Sequence, residues 1–192
     1  MTNLETGLRR LVEDLEREHL DFALVGGLAV SIRAEPRLTR DVDVVVSVKN
    51  DSEAEAAVLR MREAGYVPDV LIEHDVTGRL ASARLTHPER PEIVLDMLFA
   101  SCGIEPEIVE MAEEIEALPD LNIRVAQTGH LIAMKLLARD DRERPNDYDD
   151  LRSLVDIATA EDVSLARRGV ELINQRKYNR GRDLVEALDG LF

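Results

Sequence analysis

Two apolar runs joined through a glycine turn constrain the fold of this chain more than any other feature. The segment DFALVGG ends its apolar run at Gly26 and Gly27, and DVDVVVSV is a second run whose valines favour a strand. Between them, AVSIRAE has room for about two helical turns before Pro36 stops it. The pattern predicts a strand, a glycine turn, a short helix and a second strand.

Two longer helices are predicted on either side of this unit. Apolar residues at helical spacing open the chain as an amphipathic helix: Leu4, Leu8, Leu11, Val12 and Leu15. Asn50, Asp51 and Ser52 offer N-caps for EAEAAVLRMREA, and Gly65 fits as the C-terminal stop of that helix. We expect the first helix to pack against a sheet.

The remaining patterns place a boundary near Gln127. RLASARLTH and EIVLDMLFA are predicted strands, with Pro88 and Pro91 in the turn between them. EPEIVEMAEEIEAL is predicted as an acidic helix, LNIRV as a short strand, and TGHLIAMKLLARDD as the start of a run of helices. The sequence therefore predicts a sheet-bearing lobe over residues 1–126 and a helical lobe over residues 127–192.

Composition excludes several classes of protein. The 192 residues contain no apolar stretch near the roughly 20 residues of a membrane span, and Cys102 is the only cysteine. We expect a cytoplasmic protein that is not inserted in a membrane.

The net charge of -15 argues against a protein that coats nucleic acid, since Lys and Arg supply most non-specific affinity for nucleic acid. One local basic segment interrupts the acidic chain: Arg167, Arg168, Arg176, Lys177, Arg180 and Arg182. Its simplest interpretation is a solvated helical face.

The acidic residues of the predicted strands form a candidate metal site. Residues two apart on a strand point the same way, so Asp41 and Asp43 place both carboxylates on one face. Asp96 lies inside the apolar VLDML, where an unpaired carboxylate would be costly to bury. Its partner is either a metal shared with the other two aspartates or an arginine such as Arg84 on the adjacent strand. Mg²⁺, or Mn²⁺ in its place, would be completed by substrate phosphates.

The glycine turn is a candidate triphosphate site. Gly26 and Gly27 let the backbone approach a phosphate closely, and the following helix N-terminus presents free N–H groups. Taken alone, a Gly-Gly pair is usually only a turn, and an Asp-x-Asp at a strand start is usually a solvated edge. The order and spacing of the motifs together favour an NTP site with a divalent cation.

These motifs resemble a known signature. VGGLAV, then RLTRDVDVVV, then VLDML is similar to the nucleotidyltransferase superfamily pattern of a glycine turn, an Asp-x-Asp and a third acidic strand residue. MKLLARDDRERPNDYDDL resembles the second half of the bacterial AbiEii-type family, which includes the toxins of AbiE and MenT toxin–antitoxin systems. The resemblance implies an α+β fold of the polymerase-beta-like kind, a mixed sheet with helices followed by a helical C-terminal lobe.

The resemblance also implies roles for further residues. A lysine and an aspartate of the C-terminal lobe complete the nucleotide site in that family, and Lys135 and Asp150 are the matching positions. Asp147 and Asp149 compete with Asp150 for the second role. Thr39 stands where the family carries a hydroxyl, and could bind phosphate or steady the turn. Arg37 matches a position at which members of the family often carry an arginine. The histidines lack metal-ligand spacing and receive no catalytic role.

Three functions remain open at this level. The resemblance implies a toxin-like enzyme that adds NMP to the 3′ end of tRNA, inhibits translation and has a cognate antitoxin. A second hypothesis keeps the chemistry and changes the acceptor to a protein side chain or an antibiotic hydroxyl. A third is a catalytically silent, antitoxin-like binding module. The presence of all three acids, Asp41, Asp43 and Asp96, favours the enzymes.

Overall fold

The computed structural model describes residues 3–36, 39, 41–139 and 145–192, with the backbone alone at residues 3, 4, 92, 145 and 146. Within these residues the strands are β1 (Phe22–Val25), β2 (Asp41–Val46), β3 (Val67–Glu73), β4 (Leu80–His87), β5 (Arg90–Leu98), β6 (Glu113–Leu118) and β7 (Leu121–Val125). The helices are α1 (Asn3–Arg17), α2 (Gly26–Arg33), α3 (Asp51–Glu63), α4 (Glu105–Glu110), α5 (Thr128–Ala138), α6 (Pro145–Ile157), α7 (Ala160–Gln175) and α8 (Leu184–Asp189).

The strands form one mixed sheet in the order β3-β4-β5-β2-β1-β7-β6. β2 pairs with β5 and β1 pairs with β7 in parallel, whereas the other neighbours are antiparallel. The glycine turn and α2 connect β1 to β2, as the sequence predicts. The mixed α/β architecture confirms the predicted fold class.

The two faces of the central strands differ in polarity. Alternate residues of β2, β4 and β5 are fully buried in the core: Val42, Val44, Ala83, Leu85, Leu95 and Met97. The residues between them are less buried and include Asp41, Asp43, Arg84 and Asp96. Because side chains alternate across a strand, these four polar residues share the opposite face of the sheet. Strand alternation therefore gathers the candidate site on one surface.

The helix caps follow the sequence. The side chain of Asn50 accepts a hydrogen bond of 3.1 Å from the backbone N–H of Glu53 and caps α3. Gly65 follows the end of that helix with a φ of +99°, in the left-handed region that favours glycine. Both termini of α3 are thus set by the residues that the sequence predicts.

Two elements differ from the sequence-based predictions. The predicted helix EPEIVEMAEEIEAL divides into α4 and the strand β6, because β6 pairs antiparallel with β7 and this pairing overrides the helix propensity of Glu and Ala. β3 was not predicted, and it lies at the sheet edge with most of its side chains exposed. Pro91 lies inside β5 rather than in the preceding turn.

The elements after residue 127 are all helical among the described residues. α5 packs against α6, α7 and α2, so the helical part of the chain contacts the unit that carries the glycine turn. No helix in the described part of the chain combines the length and the apolarity needed to cross a membrane.

Candidate active site

Asp43 and Asp96 lie directly opposite one another on the parallel strands β2 and β5. Asp41 lies two residues before Asp43 on the same face and is more open, with half of its side chain exposed (50%). The side chain of Asp96 is only 15% exposed. The structure therefore brings the three predicted carboxylates together on the sheet.

Asp96 has a cationic partner on the neighbouring strand. Arg84 stands opposite Asp96 in the β4–β5 register, and its Nε and Nη2 donate to the two carboxylate oxygens at 2.9 and 2.6 Å. The Nη2 atom also lies 3.9 Å from Oδ2 of Asp41. Of the two partners considered for Asp96 from sequence, the structure shows the arginine. The described residues accordingly contain no group of three or more His, Cys, Asp or Glu side chains arranged to hold a metal ion.

Asp43 is the electrostatically unfavourable member of the group. Burial raises its pKa to about 6, the neighbouring carboxylates of Asp96 and Asp41 add to the rise, and the ammonium of Lys135 opposes it. A buried carboxylate beside two others gains stability from any added cation. The oxygen donors of Asp41, Asp43 and Asp96 therefore suit a divalent cation by their chemistry, but the Arg84 guanidinium occupies both oxygens of Asp96 and must leave before the three can act together.

The glycine turn contacts Asp43 closely. Gly26 has a φ of +65°, and a Cβ atom there would lie 1.9 Å from Oδ2 of Asp43. α2 begins at Gly26, and Val25 before it provides no side-chain cap. The first N–H groups of this helix have no intrahelical acceptors, and helix N-termini of this kind attract phosphate oxygens. The turn thus places a helix N-terminus next to the carboxylates.

Lys135 links the helical part of the chain to this group. Its Nζ lies 2.6 Å from Oδ1 of Asp147 and 2.7 Å from Oδ2 of Asp150, and only 12% of its side chain is exposed. Asp147 and Asp150 are buried, whereas Asp149 is exposed. Lys135 also acts electrostatically on Asp43. Asp147 thus joins the predicted pair of Lys135 and Asp150, and Asp149 does not.

The other predicted residues lie at the rim or outside the described region. Thr39 donates its hydroxyl to the backbone carbonyl of Asp41 at 3.2 Å, so here it steadies the chain entering β2. Arg37 lies outside the described residues. Arg33 donates to the carbonyls of Ala126 and Val125 and pairs with Glu113, which ties α2 to the β6–β7 end of the sheet.

The late basic segment is largely engaged in structural contacts. Arg167 pairs with Asp189, and Arg176 pairs with Glu107. Arg182 donates to the backbone carbonyl of Leu137 at 2.9 Å. Much of its charge is therefore used in contacts within the fold. Only Arg167 and Arg168 lie in a helix, so the six residues do not form the single solvated helical face predicted from sequence.

The described structure thus combines a mixed sheet, a row of acidic residues, a glycine turn and a helical extension. The family model for the nucleotidyl transferase AbiEii toxin of type IV toxin–antitoxin systems matches residues 8–191. The chain belongs to this family and is a nucleotidyltransferase. Membership implies an NTP substrate and an antitoxin partner. No curated protein matches the sequence.

Solved structures share this fold at low sequence identity. An antigenic nucleotidyltransferase-like protein from Paracoccidioides brasiliensis aligns with a TM-score of 0.54 and 16% identity over 97% of this chain and 92% of its own. The antibiotic-resistance factor ANT(2'')-Ia aligns with a TM-score of 0.56 and 15% identity over 96% and 94% of the chains. The lincosamide antibiotic adenylyltransferase LnuA gives 0.51 and 16% over 80% and 98%. At this identity the likeness concerns the fold alone.

Proposed function

We propose that this nucleotidyltransferase transfers NMP from an NTP to the 3′ end of tRNA and thereby inhibits translation. The observation that carries the proposal is the row of residues across the sheet. Gly26 and the start of α2 lie against Asp43, Asp43 lies opposite Asp96, and Asp96 is followed by Arg84. A phosphate-binding turn and an acidic group in contact are what transfer from a nucleoside triphosphate requires.

The reaction assigns a role to each part of this row. The α2 N-terminus with Gly26 and Gly27 would bind the triphosphate, and Thr39 and Arg37 would border it. The acceptor oxygen forms a bond to the α-phosphorus while the bond to the departing pyrophosphate breaks. The hydroxyl proton passes to a carboxylate oxygen of Asp96, on the side away from the glycine turn.

The cofactor is part of the proposal. Asp41, Asp43 and Asp96 would hold Mg²⁺, or Mn²⁺ in its place. When bound, the cation neutralises charge on the phosphates and the reacting oxygens. Arg84 must release Asp96 before the carboxylate of Asp96 can bind the cation.

Lys135 and Asp150 complete the nucleotide site from the helical lobe in this proposal. The ammonium is held by two buried carboxylates and still lowers the pKa of Asp43, so it stands as a fixed positive charge beside the acids. A lysine provides a point charge suited to phosphate oxygens. We accordingly propose a core lobe over residues 1–126 and a completing helical lobe over residues 127–192.

The family description names a nucleotidyl transferase toxin, and the tRNA acceptor is what the resemblance to AbiE and MenT toxins implies. The test is transfer from α-³²P-labelled NTPs, supplied one at a time with Mg²⁺, onto total tRNA and onto cell extract. Wild type is compared with Asp43→Ala, and Asp149→Asn serves as a control because Asp149 is exposed beside the buried Asp150. Label on tRNA that is lost only in Asp43→Ala is the expected result. Absence of labelled RNA with every NTP refutes the tRNA acceptor.

An antibiotic hydroxyl is the second candidate acceptor. The observation that favours it is the fold shared with the two antibiotic-resistance proteins, ANT(2'')-Ia and LnuA. Label on an aminoglycoside or a lincosamide, with none on RNA, would identify an antibiotic hydroxyl as the acceptor. Label on a protein in the extract would identify a side-chain acceptor, and a silent binding module would label nothing.

A further inference from the structure

The site face of the sheet continues beyond Asp96 as an apolar surface. The register carries the row of Asp43 and Asp96 through Arg84 to Val70 on β3. The next row runs from Leu98 through Ser82 to Ile72, and Val67 is paired with Thr86 on the same face. Partners in register share a face, so these side chains lie on the same side as the carboxylates.

The β3 side chains of this surface are unusually open for large apolar residues. Val67 is 49% exposed, Val70 43% and Ile72 53%. Isolated exposed apolar residues are common, but these three lie on one face of one strand and border a charged site. We call Val67, Val70 and Ile72, with Ser82 and Leu98 beside them, the acceptor shelf.

The direction of the reaction indicates on which side of the carboxylates the acceptor binds. The glycine turn lies against Asp43 on the β1 side, so the departing pyrophosphate belongs to that side of the acids. In phosphoryl transfer the attacking and leaving oxygens lie roughly in line on opposite sides of the phosphorus. The attacking hydroxyl must therefore approach from the β5, β4 and β3 side, over Arg84 and the shelf.

We propose that the acceptor shelf binds the terminal nucleoside of the RNA acceptor, with Arg84 directed at its phosphodiester. This inference rests on the proposed function. A nucleobase offers a flat, weakly polar face that packs on apolar side chains and on a guanidinium plane. The phosphodiester carries the negative charge that an arginine recognises with two N–H groups.

The test compares two faces of one strand. Leu71 is 58% exposed and pairs with Ala83, whose side chain is fully buried in the core, so it lies on the face opposite the shelf. Val70→Ser/Ile72→Ser removes two of the three exposed apolar side chains of the shelf, and Leu71→Ser is the control, an apolar-to-serine change on the opposite face of the same strand. Circular dichroism and Tm establish that both variants fold.

The readouts are the KM for tRNA, the KM for the NTP, and the binding of a fluorescent acceptor-stem oligonucleotide measured by anisotropy. Loss of apolar contact with the base is expected to raise the acceptor KM and Kd roughly ten-fold, with the NTP KM nearly unchanged. Leu71→Ser should behave as wild type. An equal acceptor KM in both variants would refute binding of the acceptor nucleoside on the shelf, while the proposed function would stand. A wild-type enzyme that labels no RNA overturns the proposed function and the nucleic-acid occupant together.

Discussion

Arg84 holds Asp96 through two parallel hydrogen bonds of 2.9 and 2.6 Å, so one carboxylate of the acidic row is neutralised by the chain itself. A metal ion that uses Asp96 must compete with this guanidinium. The pair is open to solvent on the arginine side, with 43% of that side chain exposed. Its contribution is therefore modest, in the range of an exposed ion pair.

Replacing Arg84 should strengthen metal binding in the absence of nucleotide. For Arg84→Gln we expect the affinity for Mn²⁺, measured by isothermal titration calorimetry, to rise about three- to five-fold, because about 1 kcal/mol of competition is removed. Arg79→Gln is the control, since Arg79 pairs with Asp51 at 3.2 Å. An unchanged Mn²⁺ affinity in Arg84→Gln would show that the guanidinium does not compete for Asp96.

Gly26→Ala should damage the site more than the backbone conformation alone explains. The added Cβ would meet Oδ2 of Asp43 at 1.9 Å and force the carboxylate to move. Gly78 has the same φ of +65° with nothing within 4 Å of its Cβ position, so Gly78→Ala measures only the backbone cost of about 1 kcal/mol. We expect Gly78→Ala to keep transfer activity and Gly26→Ala to lose it, with the lower Tm. Equal Tm and activity in the two variants would refute the predicted clash.

Lys135→Met should destabilise the protein as well as inactivate it. The substitution leaves Asp147 and Asp150 buried without the ammonium that both contact, at a cost of about 3–5 kcal/mol in the free energy of unfolding. Urea unfolding at pH 7 measures the loss, and Lys49→Met, at an exposed lysine, is the control. A variant with wild-type stability would show that Lys135 contributes nothing to holding α5 against α6.

His130 should make the folded protein sensitive to mild acid. Burial lowers its pKa to about 4 from the ordinary value of 6.5, and only 2% of the residue is exposed. The unfolded chain then binds a proton that the folded chain excludes, so stability is lost as the pH falls below about 6.5. Between pH 7 and pH 5 the loss from this residue should be about 2 kcal/mol.

Urea unfolding across this pH range, in wild type and in His130→Gln, checks the prediction. The variant should lose less stability on acidification than wild type, whatever its stability at pH 7. His19→Asn serves as the control, because His19 is exposed and asparagine tolerates its φ of 51°. The same pH dependence in wild type and His130→Gln would contradict the assignment.

The sequence predicted the parts of the site that depend on strand periodicity. An Asp-x-Asp at the start of a valine-rich run places both carboxylates on one face, and the structure has Asp41 and Asp43 there. The glycine turn before α2 follows from the glycine pair that ends the first apolar run, and in the structure Gly26 has a positive φ of 65° that other residues rarely adopt. These features depend on neighbours in sequence.

The parts that could not be predicted depend on pairing between distant segments. The competition between metal and Arg84 for Asp96 remained open, because only the β4–β5 register places the two side chains opposite one another. The sequence predicts helix across β6 because its glutamates favour helix locally. The antiparallel pairing with β7, which is a tertiary contact, makes it a strand. The second carboxylate on Lys135, from Asp147, likewise depends on how α5 and α6 pack.

β3 has a consequence for the behaviour of the protein in concentrated solution. As an edge strand it exposes unpaired backbone groups next to Val70, Leu71 and Ile72, a combination that templates the addition of another chain. Pro68 cannot donate to an added strand, and irregular register follows it. Two copies pairing antiparallel about Leu71 would also bring Asp69 opposite Glu73. The same strand that offers an apolar surface to a substrate thus carries its own protection against self-association.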